Sequence, residues 1–288
     1  MYAVYAGSPN TNEEVFYSCL FEKQKKMYHK NMSRNFSWNA LVLSVTQSGE
    51  NNRSVTLLTE EEGIIYATLF GGGKSKLKSL VSPFNRGMAY IYRDETKNNC
   101  KITDFDPKMT HLSFRENLFK SYAASFAAEI VLKTKCAGSP QKSYTLLNGF
   151  LDGMELSSED ESRTGLLRFI WRYLDLMGLR PDCIFCCQCG KDFFSSPFNM
   201  QSLKNGAFYD ELNSGFVCQD CGGTRNSFFL PIEALTYLEA VSRLPPKEVR
   251  KMPLDSETRR ILKDFCYTII EKSTGLKFLS LTTGISIL

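Results

Sequence analysis

Six of the ten cysteines fall within residues 183–221. They read Cys183-Ile-Phe-Cys186-Cys187-Gln-Cys189-Gly190 and, after a spacer, Cys218-Gln-Asp-Cys221-Gly222. Two of these pairs share the form Cys-x-x-Cys-Gly. In each, the trailing glycine permits a tight turn that aims backbone amides at a thiolate. Two such pairs supply four soft ligands for a tetrahedral ion, and Zn²⁺ is the default occupant. Cys183-x-x-Cys186 competes with Cys186-x-x-Cys189 for the first pair. Only the second is followed by glycine, so the expected ligands are Cys186, Cys189, Cys218 and Cys221, with Cys183 and Cys187 as spares. His29 and His111 lie far away in the chain, which implies a thiolate-only site. An open catalytic zinc leaves one position to water; four thiolates with no suitably spaced Glu point to a structural ion. Thioredoxin-like redox chemistry wants its Cys-x-x-Cys at a helix start within a βαβ pattern, which this stretch lacks. The 28-residue spacer, residues 190–217, contains Phe193, Phe194, Phe198 and Phe208. It is expected to form a small strand pair of its own.

A second concentration of chemistry is cationic. Residues 63–93 contain no Asp or Glu. Residues 71–101 carry Lys74, Lys76, Lys78, Arg86, Arg93, Lys97 and Lys101 against Asp94 and Glu95, a surplus of five that exceeds the +4 of the whole chain. In an extended loop the alternating Lys74, Lys76 and Lys78 share one side. A row of ammonium groups suits a phosphate backbone, because each contact releases a condensed counterion. Phe70, Phe84, Tyr90 and Tyr92 stand close enough in sequence to stack bases, although core packing is the expected role for these rings. Gly73-Lys74-Ser75 invites a phosphate-loop reading, but that motif needs glycine where Thr68 stands, and no apolar helix follows. Nucleotide hydrolysis is rejected, and no catalytic residues are assigned.

These groups need positioning. The 288 residues, 43% hydrophobic and 23% charged, suit two globular domains. No run of 18 apolar residues and no signal-peptide order are present, so a cytoplasmic chain is expected, without membrane contact. In a reducing compartment paired cysteines mean metal or redox chemistry and not disulfides. Residues 1–31 show no clear period; they read either as a flexible tail or as sequence upstream of a true start at Met27 or Met32. Residues 32–110 show five short β runs: 38–45, 54–59, 64–70, 88–93 and 100–105. Five strands in so short a span, with little room for helices, imply an OB-fold barrel. From Leu112 the period turns helical. A long helix is expected with Ser113 as N-cap and Glu116 completing a capping box, ending before Ala137-Gly138. Further helices are read at 144–156, 164–177, 231–243 and 256–271. Residues 157–162 read as an acidic loop, and Gly178 as a helix stop. The fold class is α+β: an OB-fold barrel, then a mainly helical domain, residues 111–288, that contains the zinc-binding region 183–222.

The order of these parts resembles the RecO family of bacterial recombination and DNA-repair mediators over about residues 32–288. The likeness rests on Ala40-Leu-Val-Leu43, on Thr59 with Gly63, and on Gly73-Lys74-Ser75-Lys76-Leu77 leading to Pro83-Phe84. It rests also on Ala128-Glu129, on Gly178-Leu-Arg-Pro-Asp182 before the cysteines, and on Gly215-Phe-Val-Cys218. The crowded first cysteine pair and residues 1–31 depart from the family pattern. The resemblance implies a non-enzymatic protein that binds single- and double-stranded DNA and anneals complementary strands. It implies partners in RecR and the tail of single-stranded DNA-binding protein, indirect action on RecA, and a place at the bacterial nucleoid. Lys74, Lys76 and Lys78, with Arg86 and Arg93, are then expected on the DNA path. The competing reading is a zinc-ribbon protein acting on RNA or in transcription.

Overall fold

Five strands open the computed structural model, which describes residues 34–71, 76–94, 96, 99–194, 206–222 and 228–288. They are β1 (Asn35–Ser48), β2 (Asn52–Thr59), β3 (Gly63–Leu69), β4 (Arg86–Asp94) and β5 (Asn99–Met109). They close into a barrel in the order β1-β2-β3-β5-β4, with β4 returning to pair with β1. β3 meets β5 in parallel, Thr68 opposite Lys101. A short helix, α1 (Leu77–Leu80), links β3 to β4. This is the OB-like barrel expected. Alternation fills it: Trp38, Ala40, Val42, Val55, Leu57, Ile65, Ala67, Leu69, Ala89, Ile91, Ile102 and Phe105 form its interior. Gly87 marks the tightest crossing. A Cβ there would stand 2.1 Å from the carbonyl oxygen of Asp106, so no side chain fits.

The barrel is not clothed by water all round. Leu41, Leu43 and Leu58 face outward yet belong to the core of the helical half. β2 is accordingly buried without interruption from Val55 to Thr59, and its run Val-Thr-Leu-Leu-Thr shows the continuous apolar character of a strand covered on both faces.

The helical half comprises α2 (Ser113–Glu116), α3 (Leu118–Lys133), α4 (Pro140–Glu155), α5 (Glu159–Leu176), α6 (Ile232–Arg243), α7 (Pro246–Val249), α8 (Ser256–Thr274) and α9 (Leu279–Gly284). Two sequence expectations fail here. The capping box at Ser113 and Glu116 does not form. The chain leaves helical geometry at Asn117, whose side chain accepts from the Lys120 N–H at 2.9 Å and caps α3. Ser113 donates its N–H and hydroxyl to the Glu155 carboxylate on α4 instead. Asn caps as well as Ser does, and Glu155 offers Ser113 two bonds at once. The acidic segment 157–162 is not a loop either. Ser158 caps α5 by accepting from the Glu161 N–H, and Glu159, Asp160 and Glu161 form its first turn, where the helix dipole favours carboxylates. The stop at Gly178 stands as expected. The Gly178 N–H donates to Asp175 and the Leu179 N–H to Leu174, both at 2.9 Å, which is a Schellman closure.

Between α3 and α4 the backbone makes a left-handed turn. Lys135, Cys136, Ala137 and Gly138 have φ of 50°, 60°, 48° and 72°. For each non-glycine residue this costs roughly 1–2 kcal/mol. The Ser139 N–H and the Ser143 hydroxyl both donate to the Cys136 carbonyl at 2.8 Å and hold the turn.

The cysteine insert carries β6 (Gly206–Asp210), β7 (Gly215–Val217) and β8 (Phe228–Pro231) in the order β7-β6-β8. The expected strand pair is thus a three-stranded sheet, its third strand coming from residues just before α6. Tyr209, Phe216 and Phe228 pack their rings on Phe265 of α8 and root the insert in the helical core. At the barrel joint, His111 is fully enclosed. Its Nδ1 lies 2.7 Å from the Phe84 carbonyl and its Nε2 lies 3.0 Å from Asp152 of α4. Arg86 holds the other Asp152 oxygen at 2.9 Å.

Candidate metal centre and nucleic-acid face

The four expected thiolates converge. The sulfurs of Cys186, Cys189, Cys218 and Cys221 all lie within 4.8 Å of one another. Cys186 and Cys221 are 3.8 Å apart, and Cys189 and Cys218 are 3.7 Å apart. A tetrahedral ion held at the usual Zn–S distance of about 2.3 Å requires sulfurs about 3.8 Å apart, so the donor set fits. Each pair closes alike. Gly190 and Gly222 stand at φ of 72° and 74°, a region closed to most side chains. The Gly190 N–H donates to the Cys186 carbonyl at 2.9 Å, and the Gly222 N–H to the Cys218 carbonyl at 3.2 Å. The Cys218 N–H points at the Cys186 sulfur at 3.3 Å. Burial alone would raise the Cys186 thiol, but the N–H groups of Cys189, Cys218 and Gln188 outweigh it and bring the pKa down to about 6. A thiolate is thus favoured where a cation would sit.

The two spare cysteines separate clearly. Cys183 is sealed in the helical core, and burial pushes its thiol well above the ordinary range. Cys187 is exposed, with its N–H tied to the Phe216 carbonyl at 2.8 Å. The structure gathers neither with the four.

The cationic residues are dispersed. Lys74 lies outside the described residues, as do Lys97 and Phe198. Lys76 is exposed and occupies the N-cap position of α1 in helical geometry, and Lys78 lies within that helix. The expectation of an extended loop therefore fails from Lys76 onward, because residues two apart on a helix do not face the same way. Arg86 and Arg93 stand at opposite ends of β4, roughly 23 Å apart at about 3.3 Å per residue. Arg86 is bound to Asp152. Arg93 lies 5.2 Å over the Phe36 ring and 5.1 Å over Trp38, and 3.5 Å from Glu62.

The aromatic residues divide. Phe84 is packed into the joint against Phe114, and Tyr92 is half-buried. Phe70 and Tyr90 are exposed at 43% and 42%, and Tyr66, unmarked by sequence, is exposed at 66%. A signal existed: Tyr66 alternates with the apolar Ile65 and Ala67, which places it on the outer face.

Two family models match the chain: Recombination protein O N terminal over residues 32–106 and Recombination protein O C terminal over residues 115–282. The chain belongs to the RecO family. Among RecO relatives, the DNA repair protein RecO of Myxococcus xanthus is 29% identical over 246 residues, covering 84% of this chain and 93% of that protein. The RecO of Bacillus subtilis is 26% identical over 252 residues, covering 82% and 88%. The boundary between the two RecO models falls at the joint formed by His111, Asp152 and Arg86. Within the RecO C-terminal half, a cavity of about 680 Å³ opens among α4, α5 and α6. Phe150, Phe169 and Leu176 line it together with Arg168, Arg172 and Arg250. Arg172 donates to the Val241 and Leu244 carbonyls; burial and then the nearby Arg168 lower its pKa. Among the described residues no helix is long and apolar enough to cross a membrane.

Proposed function

We propose that this chain is a DNA repair and recombination mediator that works by holding DNA and not by a catalytic step. It binds single- and double-stranded DNA, anneals complementary strands and, with RecR, helps load RecA on strands coated by single-stranded DNA-binding protein. The observation that carries this reading is the match of both RecO halves along one chain whose first half is a closed OB-like barrel with a cationic β3–β4 connection. Such barrels track a nucleic-acid backbone with basic groups and need no sequence readout.

In this reading Lys74, Lys76 and Lys78 contact phosphate, with Arg93 at the edge of the same barrel. Arg86 remains on the proposed path, although its charge is already shared with Asp152. The ion at Cys186, Cys189, Cys218 and Cys221 is structural Zn²⁺. It staples the insert that follows α5, and its closed set of four thiolates leaves no position for a reacting water. Residues 32–110 and 111–288 act as two domains. The arginine-lined cavity among α4, α5 and α6 has the character that an acidic tail with apolar end residues requires, so we assign the tail of single-stranded DNA-binding protein to it. The chain acts in the bacterial cytoplasm, at the nucleoid.

The test is joint substitution of Lys74, Lys76 and Lys78 by Ala. Each phosphate contact contributes about 0.7–0.9 to the slope of log affinity against log salt. Loss of three should flatten the slope by about 2–3 and weaken binding to every sequence alike. Unchanged affinity and slope would remove these lysines from the DNA path. Strand annealing with a RecR pull-down separates this reading from an RNA-directed zinc-ribbon protein.

A further inference from the structure

The four sulfurs of the metal centre are not presented alike. Cys186 and Cys218 are buried, at 2% and 4% exposure, and form a small core of their own with Val217. Phe193, Phe208 and Cys221 pack against that core, and Cys221 is half-buried. Cys189 is exposed and belongs neither to the core nor to its flank. The backbone amides divide in the same way. The Cys186 sulfur accepts from the Cys218 N–H at 3.3 Å. Among the described residues no backbone N–H donates to the Cys189 sulfur, which has the Cys218 sulfur 3.7 Å away. The approach to Cys189 is also open. A Cβ placed on Gly190, the next residue, meets no described atom within 4 Å. Lys191, two residues on, pairs at 2.8 Å with Asp220, the neighbour of Cys221. This exposed pair ties the two cysteine turns together and leaves the Cys189 sulfur uncovered.

A cation held by four cysteines keeps their sulfurs deprotonated at neutral pH, and the thiolate is the nucleophilic form of cysteine. Four negative sulfurs around one divalent ion leave the centre anionic and electron-rich. Burial denies a reagent access to a sulfur, and N–H groups aimed at it draw off its electron density. Cys186 has both handicaps and Cys218 the first; Cys189 has neither. We propose that Cys189 is an alkyl-acceptor site, the one thiolate of the metal centre that takes a carbon from small, soft alkylating electrophiles. In that step the Cys189 sulfur supplies an electron pair to the carbon and a carbon–sulfur bond forms. The leaving group departs with the pair of the bond that breaks. No proton, oxidant or reductant is required. Cys189 becomes a neutral thioether, and the centre sheds one negative charge. The proposal rests on the structural-ion reading above and goes beyond it, by giving an exposed ligand a chemistry that holding the insert together does not use.

The experiment uses the full chain purified without chelator, with its zinc measured by elemental analysis, and methyl iodide as the probe. Tandem mass spectrometry of peptides taken at successive times should find the methyl group at Cys189 first among the four ligands, at least about ten-fold ahead of Cys186 and Cys218. Zinc should still be bound when that first methyl group appears. Cys187 is exposed, adjacent and outside the four, which makes it the chief competitor for the probe. Cys187→Ser removes it and should leave the rate at Cys189 unchanged. Equal rates at the four ligands, zinc lost before any methylation, or methylation confined to Cys187 would overturn the proposal alone. A protein that carries no metal would overturn the structural-ion reading and the proposal with it, so the two failures are distinct.

Discussion

Glu129 shows how one side chain ties a chain end to the core. Its carboxylate accepts from the Leu279 and Ser280 N–H groups at 2.8 Å each and pairs with Lys133 at 2.9 Å, so it caps α9 from α3. Burial opposes its ionisation, yet Lys133 and the two N–H groups outweigh it and hold the carboxyl below the usual range. A depressed folded pKa contributes stability above the unfolded value of about 4.3, and that contribution is lost as pH falls through the folded value. Glu129→Gln should cost about 1 kcal/mol at pH 7, and the difference from wild type should shrink toward zero in acid. Urea titrations at both pH values test this. The cysteines divide at the same scale. Cys218→Ser should abolish stoichiometric metal measured by elemental analysis, whereas Cys187→Ser should retain it, because only the first sulfur lies among the four.

At the scale of elements, the barrel depends on β4 passing β5 with no side chain between them. Gly87→Ala should cost about 1–3 kcal/mol or more, because the obstacle is the Asp106 backbone and not a movable side chain. A lowered denaturant midpoint measures it. β3 and β4 were legible in the sequence because their burial alternates, and β2 because its run from Val55 to Thr59 is continuously apolar and β-branched. The four converging cysteines were legible because a trailing glycine is a local requirement, met at Gly190 and Gly222. Other features were not. Asn117 and Ser113 are equally good caps, and only the tertiary partner Glu155 decides between them. Phe228-Phe-Leu-Pro231 becomes a strand because β6 is there to receive it. The left-handed turn at Lys135–Gly138 has one glycine in four positions, and what holds it is Ser143 on the next helix. The Lys76–Lys78 segment alternates like a strand but ends in helical geometry, since Arg53 of β2 donates to the Lys78 carbonyl and fixes that turn against the barrel.

For the whole molecule, the decisive contact is the joint. Asp152 serves Arg86 from the barrel and His111 from the connecting segment at once. Asp152→Ala removes both bonds and leaves the enclosed imidazole without a partner on one side, at about 1–3 kcal/mol. Wild type should unfold in a single transition, because Leu41, Leu43 and Leu58 of the barrel are members of the helical core. The variant should melt earlier and begin to show barrel and helices separating, a difference readable by comparing near-ultraviolet circular dichroism with helical signal during heating.

Those three leucines carry a consequence for how the chain can be cut and recombined. Two sequence models divide it neatly between residues 106 and 115, as if it were a pair of interchangeable cassettes. Scission there would strip Leu41, Leu43 and Leu58 of their cover and leave a matching apolar scar on the helices. Each fragment should then be sticky when made alone and recover solubility when the two are produced together. A chimera of two relatives should fold only when both sides of that seam come from the same parent.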